Sequence, residues 1–359
     1  MTTWRHVDSP ARGAASPDSP TLRDDQAVLN TSVVLVKRPT ERATPDHFSV
    51  ETEELGTIEA GQVRVGVEFL SIDAGIRTML VGEGFHPQVD VRSPIRSTGV
   101  GRVIESASDA FAVGQAVKGR FGAQTIATMA AGDIVALDDS VGPINLYLGA
   151  LSGSTGVTAW IGIREVAKPG PGDTFVVSAA AGAVGSIAGQ IAKKDGARVI
   201  GIAGGPEKCA HIVDTLGFDA AIDYKNENVG DRLRELAPDG VNVFFDNVGG
   251  PILDAVLDNI ALRARVAICG AISQYDDMDN VTGPSMYLRL AERQSVMEGF
   301  AYFHFNERIP AAMAELAEWV ADGSLVLPET ILDGIESFPE ALQFMFDGGN
   351  TGKLLVKVS

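Results

Sequence analysis

A short glycine turn in the middle of the sequence constrains the fold more than any other feature. The run Asp173–Ala179 (DTFVVSA) is apolar through its centre, as expected of a strand that is buried on both faces of a sheet. The next residues read AAGAVG, and a helix is predicted over Val184–Lys194. The dinucleotide fingerprint G-x-G-x-x-G/A occupies this position between a buried strand and a helix, and here Ala180 replaces its first glycine.

The residues of this turn suit the binding of a pyrophosphate. Gly182 allows the backbone to approach the phosphates closely, and Gly185 allows the helix to pack against the strand. The start of the helix supplies N–H groups and a partial positive charge, which favour an anion. A tight turn without a ligand is the alternative interpretation. The predicted cofactor-binding residues of the turn are Ala180, Gly182, Ala183, Val184 and Gly185.

The end of the second predicted strand, Arg198–Ala203, indicates which dinucleotide would bind. An NAD site usually has an acidic residue there, which binds the ribose 2′-hydroxyl. This strand instead ends in Gly204-Gly205, with Lys208 shortly afterwards, and lysine binds phosphate as a point charge. We therefore predict that Gly204 and Lys208 belong to a 2′-phosphate pocket and that the cofactor is NADP. The alternative is that Lys208 is a solvated helix residue and that cofactor choice is loose.

Predicted strands and helices alternate from about residue 151 to residue 323, which indicates a doubly wound parallel sheet. The further strands are predicted at Ala221–Tyr224, Val241–Asn247 and Arg265–Gly270, and the further helices at Glu207–Leu216, around Ile252–Ala261 and at Ile309–Ala321. The aromatic segment Phe300–Phe305 is predicted to form a late strand near a subunit interface.

The flanking regions are rich in short strands and glycine turns, which favours a β-rich, barrel-like domain. Its predicted strands include Ser32–Lys37, Gln62–Leu70, Gly99–Glu105 and Ala116–Gly119. The last residues form short strands around a helix at Pro339–Phe346 and are more similar to this region than to the middle one. We therefore predict an α/β fold in which the parallel sheet is inserted into the β-rich domain. The expected parts are a poorly ordered extension over residues 1–27, the β-rich domain over 28–150 and 324–359, and the nucleotide-binding domain over 151–323.

The composition excludes several classes of protein. The chain has a formal net charge of −18 and no Lys/Arg run, which argues against nucleic acid as a partner. No apolar stretch is long enough for a membrane helix and no signal-peptide pattern begins the chain, so we expect a cytoplasmic protein without a membrane partner. The two cysteines, Cys209 and Cys269, are too few for a disulfide framework.

Several motifs occur together in an order that resembles a known family. They are Ala179–Lys193, Leu216–Asp219, Asp223–Lys225, Phe245–Gly250, Cys269–Tyr275 and Gly348–Lys353. In these segments the chain is similar to the zinc-independent medium-chain dehydrogenases/reductases, and more narrowly to the group of prostaglandin reductase (leukotriene B4 dehydrogenase) and alkenal double-bond reductase. The resemblance implies a Rossmann domain inserted into a GroES-like, partly open barrel, with NADPH as cofactor and a homodimeric assembly. It also implies reduction of a carbon–carbon double bond conjugated to a carbonyl.

The resemblance assigns cofactor contacts to individual residues. Lys208 corresponds to the residue that binds the 2′-phosphate, and Tyr224 to a tyrosine beside that phosphate and its ribose. Asn247 resembles an asparagine near the cofactor. Thr158 matches a threonine close to the nicotinamide, and Asn350 matches a late asparagine that closes over the cofactor.

The residue types argue against a zinc ion. Zinc-dependent relatives use a cysteine of the first domain, a Gly-His-Glu motif and a later cysteine or acid, and catalytic zinc needs about three such ligands. The first domain here has no cysteine and no Gly-His-Glu, and its histidines are His47 and His86. Cys269 ends a predicted buried strand, so we expect a small core residue. We also include Cys269 and Tyr275 among the candidate cofactor contacts. Cys209 lies on a predicted helix with no adjacent base implied.

A reaction without a metal needs hydrogen-bond donors near the substrate carbonyl. Hydride transfer to the β-carbon leaves an enolate, which the nicotinamide ribose 2′-hydroxyl and Tyr275 or Tyr287 would stabilise. The proton for the α-carbon would come from tyrosine or from water. The alternatives are that Tyr275 only lines the pocket and that Tyr287 only packs on a helix. The acidic segment Tyr275–Leu288 is interpreted as a mobile loop over the site, or equally as a solvated surface.

The first domain departs from the family pattern. Where the family often has Asp-Pro-Tyr-Met-Arg, this chain has Asp73-Ala-Gly-Ile-Arg77, without the aromatic residue that would line the substrate pocket. The physiological substrate therefore stays open. Two other functions remain as alternatives: a quinone reductase with the same cofactor site, and an NADPH-binding protein with little turnover.

Overall fold

The structure is a computed structural model that describes residues 27–40, 42–81, 86–277 and 280–358. The predicted extension over residues 1–27 lies outside these ranges except for its last residue. The described residues form sheets of two, six and seven strands. None of the helices in these ranges has the length and apolar composition that crossing a membrane requires.

The N-terminal part of the described chain is built mainly from antiparallel strands. Its elements are β1 (Val28–Leu35), β2 (Phe48–Leu55), β3 (Gln62–Ser71), α1 (Gly75–Leu80), β4 (Gly99–Ser106), β5 (Ala116–Gly119), β6 (Ile126–Ala130) and β7 (Ile134–Ala136). Strand β1 pairs with β2, whereas β3, β4, β5 and β7 are successive neighbours in the larger sheet and β6 pairs with β3. Val63, Val65 and Val67 of β3 are buried, as the period-two alternation of the sequence predicts.

The middle of the chain forms a doubly wound sheet. Its strands are β8 (Thr174–Ser178), β9 (Arg198–Ala203), β10 (Ala220–Asp223), β11 (Val241–Asp246), β12 (Ile260–Ile268) and β13 (Val296–Gly299). Its helices are α2 (Thr158–Ile161), α3 (Ala183–Lys194), α4 (Pro206–Asp214), α5 (Val229–Leu236), α6 (Gly250–Leu257), α7 (Leu288–Glu292) and α8 (Ile309–Ala321). Phe175, Val176 and Val177 of β8 are fully buried, which confirms a strand covered on both faces.

The order of the parallel strands determines where a ligand can bind. The order is β10-β9-β8-β11-β12-β13, which is 3-2-1-4-5-6 when counted from β8. This is the order of dinucleotide-binding folds, and it reverses between β8 and β11. Ligands of such sheets bind in the crevice beyond the carboxyl ends of the strands at this point.

The C-terminal segment returns to the first domain. It consists of β14 (Glu329–Asp333), α9 (Phe338–Phe346) and β15 (Lys353–Lys357). Strand β15 pairs antiparallel with β3 and parallel with β14. The Rossmann sheet is therefore inserted into a β-rich, GroES-like domain, which confirms the predicted fold class. The exact positions of the domain boundaries near residues 150 and 323 stay a prediction.

One apolar cluster connects the two domains. It includes Val100 of β4 and Leu355 of β15 together with Val177 and Phe245 of the parallel sheet. Burial of this shared apolar surface favours a defined arrangement of the two domains. The described residues of the two domains thus share a continuous apolar contact.

The prediction of a strand over Phe300–Phe305 was wrong. The last strand of the parallel sheet is Val296–Gly299, and Tyr302–His304 form a single 3-10 turn. Phe300, Tyr302 and Phe305 pack against the apolar core instead of continuing the sheet, whereas Phe303 is 55% exposed. The ring of Phe300 packs edge-on against Phe245 with 5.9 Å between the centroids, and Tyr302 lies against the backbone at Gly153, where a Cβ would be 2.5 Å from its ring.

The helix predicted around Ile252–Ala261 also ends earlier than expected. It ends at Leu257, because Ile260 already pairs with Val241 in the parallel sheet. Strand β12 therefore begins five residues before the predicted start at Arg265. The apolar composition of Ile260 and Ala261 suits either a helix or a buried strand, which is why the pattern alone did not separate them.

Candidate active site

The predicted glycine turn joins β8 to α3 at the crevice of the parallel sheet. Gly182 is the N-cap of α3, which begins at Ala183, and its N–H bonds back to the carbonyl of Ala179 at 2.9 Å. Gly185 lies in the first turn of the helix, where a Cβ atom would be 2.4 Å from the oxygen of Ala179. This position therefore requires glycine, because any side chain would push α3 away from β8. Ala180 is fully buried beneath the turn.

The C-terminal segment lies directly against this turn. The N–H of Gly352 donates to the carbonyl of Ala181 at 2.7 Å, and Gly352 forms a parallel bridge with Gly182. The side-chain amide of Asn350 donates to the carbonyl of Gly352 at 2.9 Å. The structure therefore brings Asn350 next to the glycine turn, as its predicted role over the cofactor requires.

Two lysines and a tyrosine gather at the ends of β9 and β10. A Cβ on Gly204 would lie 2.9 Å from the ring of Tyr224 and 3.0 Å from the side chain of Lys225. Burial lowers the pKa of Lys208, and the positive charge of Lys225 lowers it further. The two ammonium groups therefore share one region, beside the exposed ring of Tyr224. Such a region favours a dianionic group such as a phosphate.

Lys225 was not among the predicted site residues. It directly follows Tyr224 within the Asp223–Lys225 motif, and that adjacency is the signal that the sequence offered. The neighbouring carboxylate of Asp223 accepts hydrogen bonds from Asn226, from the N–H of Gly205 and from the N–H of Lys225. These hydrogen bonds lower the pKa of Asp223, and the bond from Asn226 has the largest effect. Both of its oxygens thus accept hydrogen bonds, from its own loop and from the turn that follows β9.

Asn247 fastens the ends of β8 and β11 to each other. Its side-chain amide donates to the carbonyl of Ser178 at 2.8 Å, and its backbone N–H donates to the Ser178 hydroxyl at 2.8 Å. The Ser178 hydroxyl in turn donates to the buried carboxylate of Asp246 at 2.8 Å. Asn247 therefore lies at the crevice between these strands, and its contact with a cofactor stays a prediction.

Cys269 and Tyr275 follow β12 at the same edge of the sheet. The Tyr275 hydroxyl accepts a hydrogen bond from the N–H of Ala271 at 3.3 Å and lies over the turn at Gly270. Burial raises the pKa of Tyr275, and Cys269 and Asp246 raise it further. The hydroxyl therefore keeps its proton at neutral pH and can act as a hydrogen-bond donor. Burial also raises the pKa of Cys269 to about 12, which fits the expected core thiol.

Thr158 begins α2 beside the first domain. Its hydroxyl donates to the carbonyl of Gly153 at 2.6 Å. Close to this segment, the ammonium of Lys118 in β5 donates to the carbonyl of Tyr147 at 2.6 Å and lies 3.5 Å from the hydroxyl of Ser152. The structure thus places Thr158 at the junction of the two domains.

A buried ion pair forms the floor of the cleft on the first domain. The ammonium of Lys353, which is 4% exposed, lies 2.7 Å from the carboxylate of Asp73. The hydroxyl of Ser71 donates to the other carboxylate oxygen at 2.7 Å. Asp73 keeps the acid with which the family motif begins, and without it Lys353 would be a buried cation that lacks its carboxylate partner.

Two family models match this chain. One is described as the N-terminal domain of oxidoreductase and matches residues 31–137, and the other is described as zinc-binding dehydrogenase and matches residues 183–318. The putative NADP-dependent oxidoreductase YfmJ of Bacillus subtilis is 38% identical over 334 residues, which are 91% of this chain and 97% of that protein. The chain belongs to the medium-chain dehydrogenase/reductase family.

Named enzymes of this family are also similar to the chain. The NADP⁺-dependent 2-alkenal reductase of Nicotiana tabacum is 38% identical over 269 residues, which are 74% of this chain and 78% of that enzyme. The crystal structure of CurA from Vibrio vulnificus in complex with NADPH superposes with a TM-score of 0.86 at 33% identity, covering 92% of this chain and 99% of that one. The predicted resemblance to the alkenal reductase group of the family is thereby confirmed.

Membership in the medium-chain family does not by itself decide whether zinc is bound. Among the described residues, no group of three or more His, Cys, Asp and Glu side chains could hold a metal ion. Burial raises the pKa of Cys209 to about 11, so this thiol is protonated at neutral pH. A zinc-independent reaction stays a prediction.

In the segment Asp73–Arg77, which departs from the family motif, the side chain of His86 lies beside Gly75. A Cβ on Gly75 would lie 3.0 Å from Nε2 of His86, so the imidazole ring occupies the space beside this glycine. This contact could not be predicted from the sequence, because the two residues belong to different turns of the chain. Tyr287, the second catalytic candidate, precedes α7 and is 56% exposed. Its role at the site stays a prediction.

The titration of Lys118 should make the free energy of unfolding depend on pH. Burial lowers the pKa of Lys118 to about 8, while Asp73 raises it and Lys353 lowers it. Between pH 8 and the ordinary lysine pKa, the Lys118 side chain binds more protons in the unfolded chain than in the folded protein. Its contribution to the free energy of unfolding therefore increases as the pH rises through that window. We expect the advantage of the native protein over Lys118→Met in unfolding free energy to grow there by up to about 3 kcal/mol.

Urea unfolding of both proteins at a series of pH values measures this difference. Lys37→Met, at an exposed lysine, controls for the loss of a surface charge. A difference between native protein and Lys118→Met that stays constant above pH 8 would contradict the burial of a charged ammonium at this position.

Proposed function

We propose that this protein reduces the carbon–carbon double bond of α,β-unsaturated ketones or aldehydes with NADPH. The main support for NADPH as the cofactor is the pair Lys208 and Lys225, which lies beside Tyr224 and next to the glycine turn of the parallel sheet. The double-bond chemistry is supported by the similarity to the 2-alkenal reductase of tobacco. The NADPH-bound structure of CurA supports the same cofactor.

The described residues fit a bound NADP. The first N–H groups of α3 have no partners within the helix and would bind the pyrophosphate at the Gly182 turn. Lys208 and Lys225 would bind the 2′-phosphate, because two cations suit a dianion better than one. The cofactor supplies the hydride, and the protein supplies position and electrostatics.

Tyr275 is the residue that we assign to the substrate carbonyl. Its hydroxyl keeps its proton, since burial raises its pKa, and it can therefore donate a hydrogen bond to the oxygen on which charge develops. A donor at that oxygen stabilises the enolate without a metal ion. The proton for the α-carbon comes from the same hydroxyl or from water. Tyr287 is retained as the alternative donor.

The reaction is tested by following NADPH consumption with a panel of α,β-unsaturated ketones, unsaturated aldehydes and quinones. We expect turnover with enones and enals, and mass spectrometry should identify the saturated ketone or aldehyde as the product. Tyr275→Phe should lower kcat by about tenfold or more, since it removes one donor to the developing charge. Products restricted to hydroquinones would favour the quinone reductase, and binding of NADPH with no turnover would favour a protein that has lost the chemistry.

The 2′-phosphate assignment makes a separate prediction. Lys208→Ala and Lys225→Ala should each weaken NADPH by about tenfold to a hundredfold, the cost of one charge-assisted contact, and should leave NADH almost unaffected. Lys194→Ala, at the opposite end of α3, is the control. Binding is measured by titration of the intrinsic fluorescence. Equal losses for NADPH and NADH would contradict a phosphate pocket at these lysines.

The edge of the parallel sheet supports the expected homodimer. Strand β13 is the outermost strand, and Val296 and Met297 are 56% and 36% exposed. Leu288 and Tyr287 nearby are 66% and 56% exposed. An unpaired edge with exposed apolar side chains favours pairing with a second copy.

Light scattering after gel filtration should give twice the chain mass, and Val296→Pro should give a monomer; a monomeric native protein would contradict the assembly. The cytoplasmic location stays a prediction.

A further inference from the structure

A buried arginine of the first domain holds the loop that follows β12. The side chain of Arg77 in α1 is 2% exposed and forms an ion pair with Asp276. Its Nε donates to the carboxylate of Asp276 at 2.9 Å, and its Nη2 donates to the backbone carbonyl of the same residue at 3.3 Å. Asp276 directly follows Tyr275. The ion pair therefore connects the first domain to the residue next to the candidate donor, across the cleft between the two domains.

The two ends of this loop segment are attached to different domains. At its base, the N–H groups of Ile272 and Ser273 donate to the carbonyls of Asn247 and Val248 at 3.1 and 3.2 Å, within the Rossmann domain. At its outer end, Asp276 is bound by the first domain. The position of Tyr275 between these two attachments therefore depends on both domains at once.

The physical setting makes the pair hard to replace. Apolar side chains line the cavity beside it, among them Phe48, Leu80 and Leu342. Water screens a charge poorly in such surroundings, and a buried guanidinium is costly to separate from its carboxylate partner. The start of α1 is also fixed, because the preceding Asp73 is bound by Lys353. The guanidinium of Arg77 is therefore held by a helix whose start is attached to β15 through Asp73 and Lys353.

We propose that Arg77 and Asp276 are positioning residues that set the distance between the Tyr275 hydroxyl and the substrate carbonyl. This inference rests on the proposed reduction of conjugated double bonds. Neither residue exchanges a proton in the reaction. Their effect is exerted through Tyr275, whose donor must lie within hydrogen-bond reach of the oxygen that becomes charged. The tether also couples loop position to the arrangement of the two domains.

Asp276→Asn is the variant that tests this proposal, because it removes the charge of the half-exposed Asp276 while keeping the size of the side chain. The chain offers a matched control in Arg64, which is 3% exposed and pairs with Glu105, 37% exposed, within the sheet of the first domain. Glu105→Gln therefore removes a carboxylate of similar burial away from the cleft. In both variants we measure kcat and KM for an enone, the Kd of NADPH and the hydrogen exchange of peptides covering residues 271–277.

For Asp276→Asn we expect faster exchange of the loop amides and kcat lower by about tenfold to a hundredfold, the effect of a misplaced reacting group. The Kd of NADPH should stay unchanged, because the lysines that bind it lie at the other end of the crevice. Asp276→Glu should restore most of the activity. Combined with Tyr275→Phe, Asp276→Asn should cause little further loss, since both act through the same hydroxyl.

Three results would overturn the proposal: unchanged loop exchange in Asp276→Asn, losses equal to those of Glu105→Gln, or full additivity with Tyr275→Phe. Failure of the proposed function itself looks different. If the native protein reduces no enone, that function fails, while the exchange comparison between the two variants still decides whether Arg77 holds the loop.

Discussion

The structure depends on two close backbone contacts at Gly352, one with Ala181 and one with Pro328. The N–H of Gly352 donates to the carbonyl of Ala181 at 2.7 Å, where the C-terminal segment meets the glycine turn. A Cβ at position 352 would lie 1.7 Å from the carbonyl oxygen of Pro328, and its φ of +67° lies in the region that favours glycine. This contact brings the last strand of one domain against the cofactor turn of the other. The cleft, the Asp73–Lys353 pair and the position of Asn350 all follow from that approach.

The local parts of the site could be predicted from the sequence. A buried strand, a glycine turn and a helix start are encoded by adjacent residues, so the turn at Gly182 and the end of β9 at Gly204 were found without a structure. Contacts between distant segments were not found. The approach of Lys225 to Lys208, the His86 ring over Gly75 and the Arg77–Asp276 pair depend on tertiary arrangement, about which spacing along the chain carries no information. The wrong strand at Phe300–Phe305 has the same cause, because the alternation of rings suits inward packing as well as a sheet.

The distribution of charge is a second theme of the structure. The chain carries a formal net charge of −18, yet the crevice gathers Lys208 and Lys225, and the cleft floor gathers Lys118 and Lys353. Net charge governs long-range encounters, whereas binding of a phosphate or a carbonyl depends on the few charges within contact distance. A formal net charge of −18 argues against nucleic acid as a partner, and it is compatible with a local anion site.

The transfer of deuterium from NADPH labelled at C4 of the nicotinamide tests whether the hydride goes to the carbon–carbon double bond or to the carbonyl group. The product of an α,β-unsaturated ketone is isolated, and the position of the label is read by nuclear magnetic resonance. The account predicts a saturated ketone with deuterium on the former β-carbon, since Tyr275 stabilises charge on the oxygen while hydride goes to the far end of the conjugated system. An allylic alcohol with deuterium on the former carbonyl carbon would contradict it.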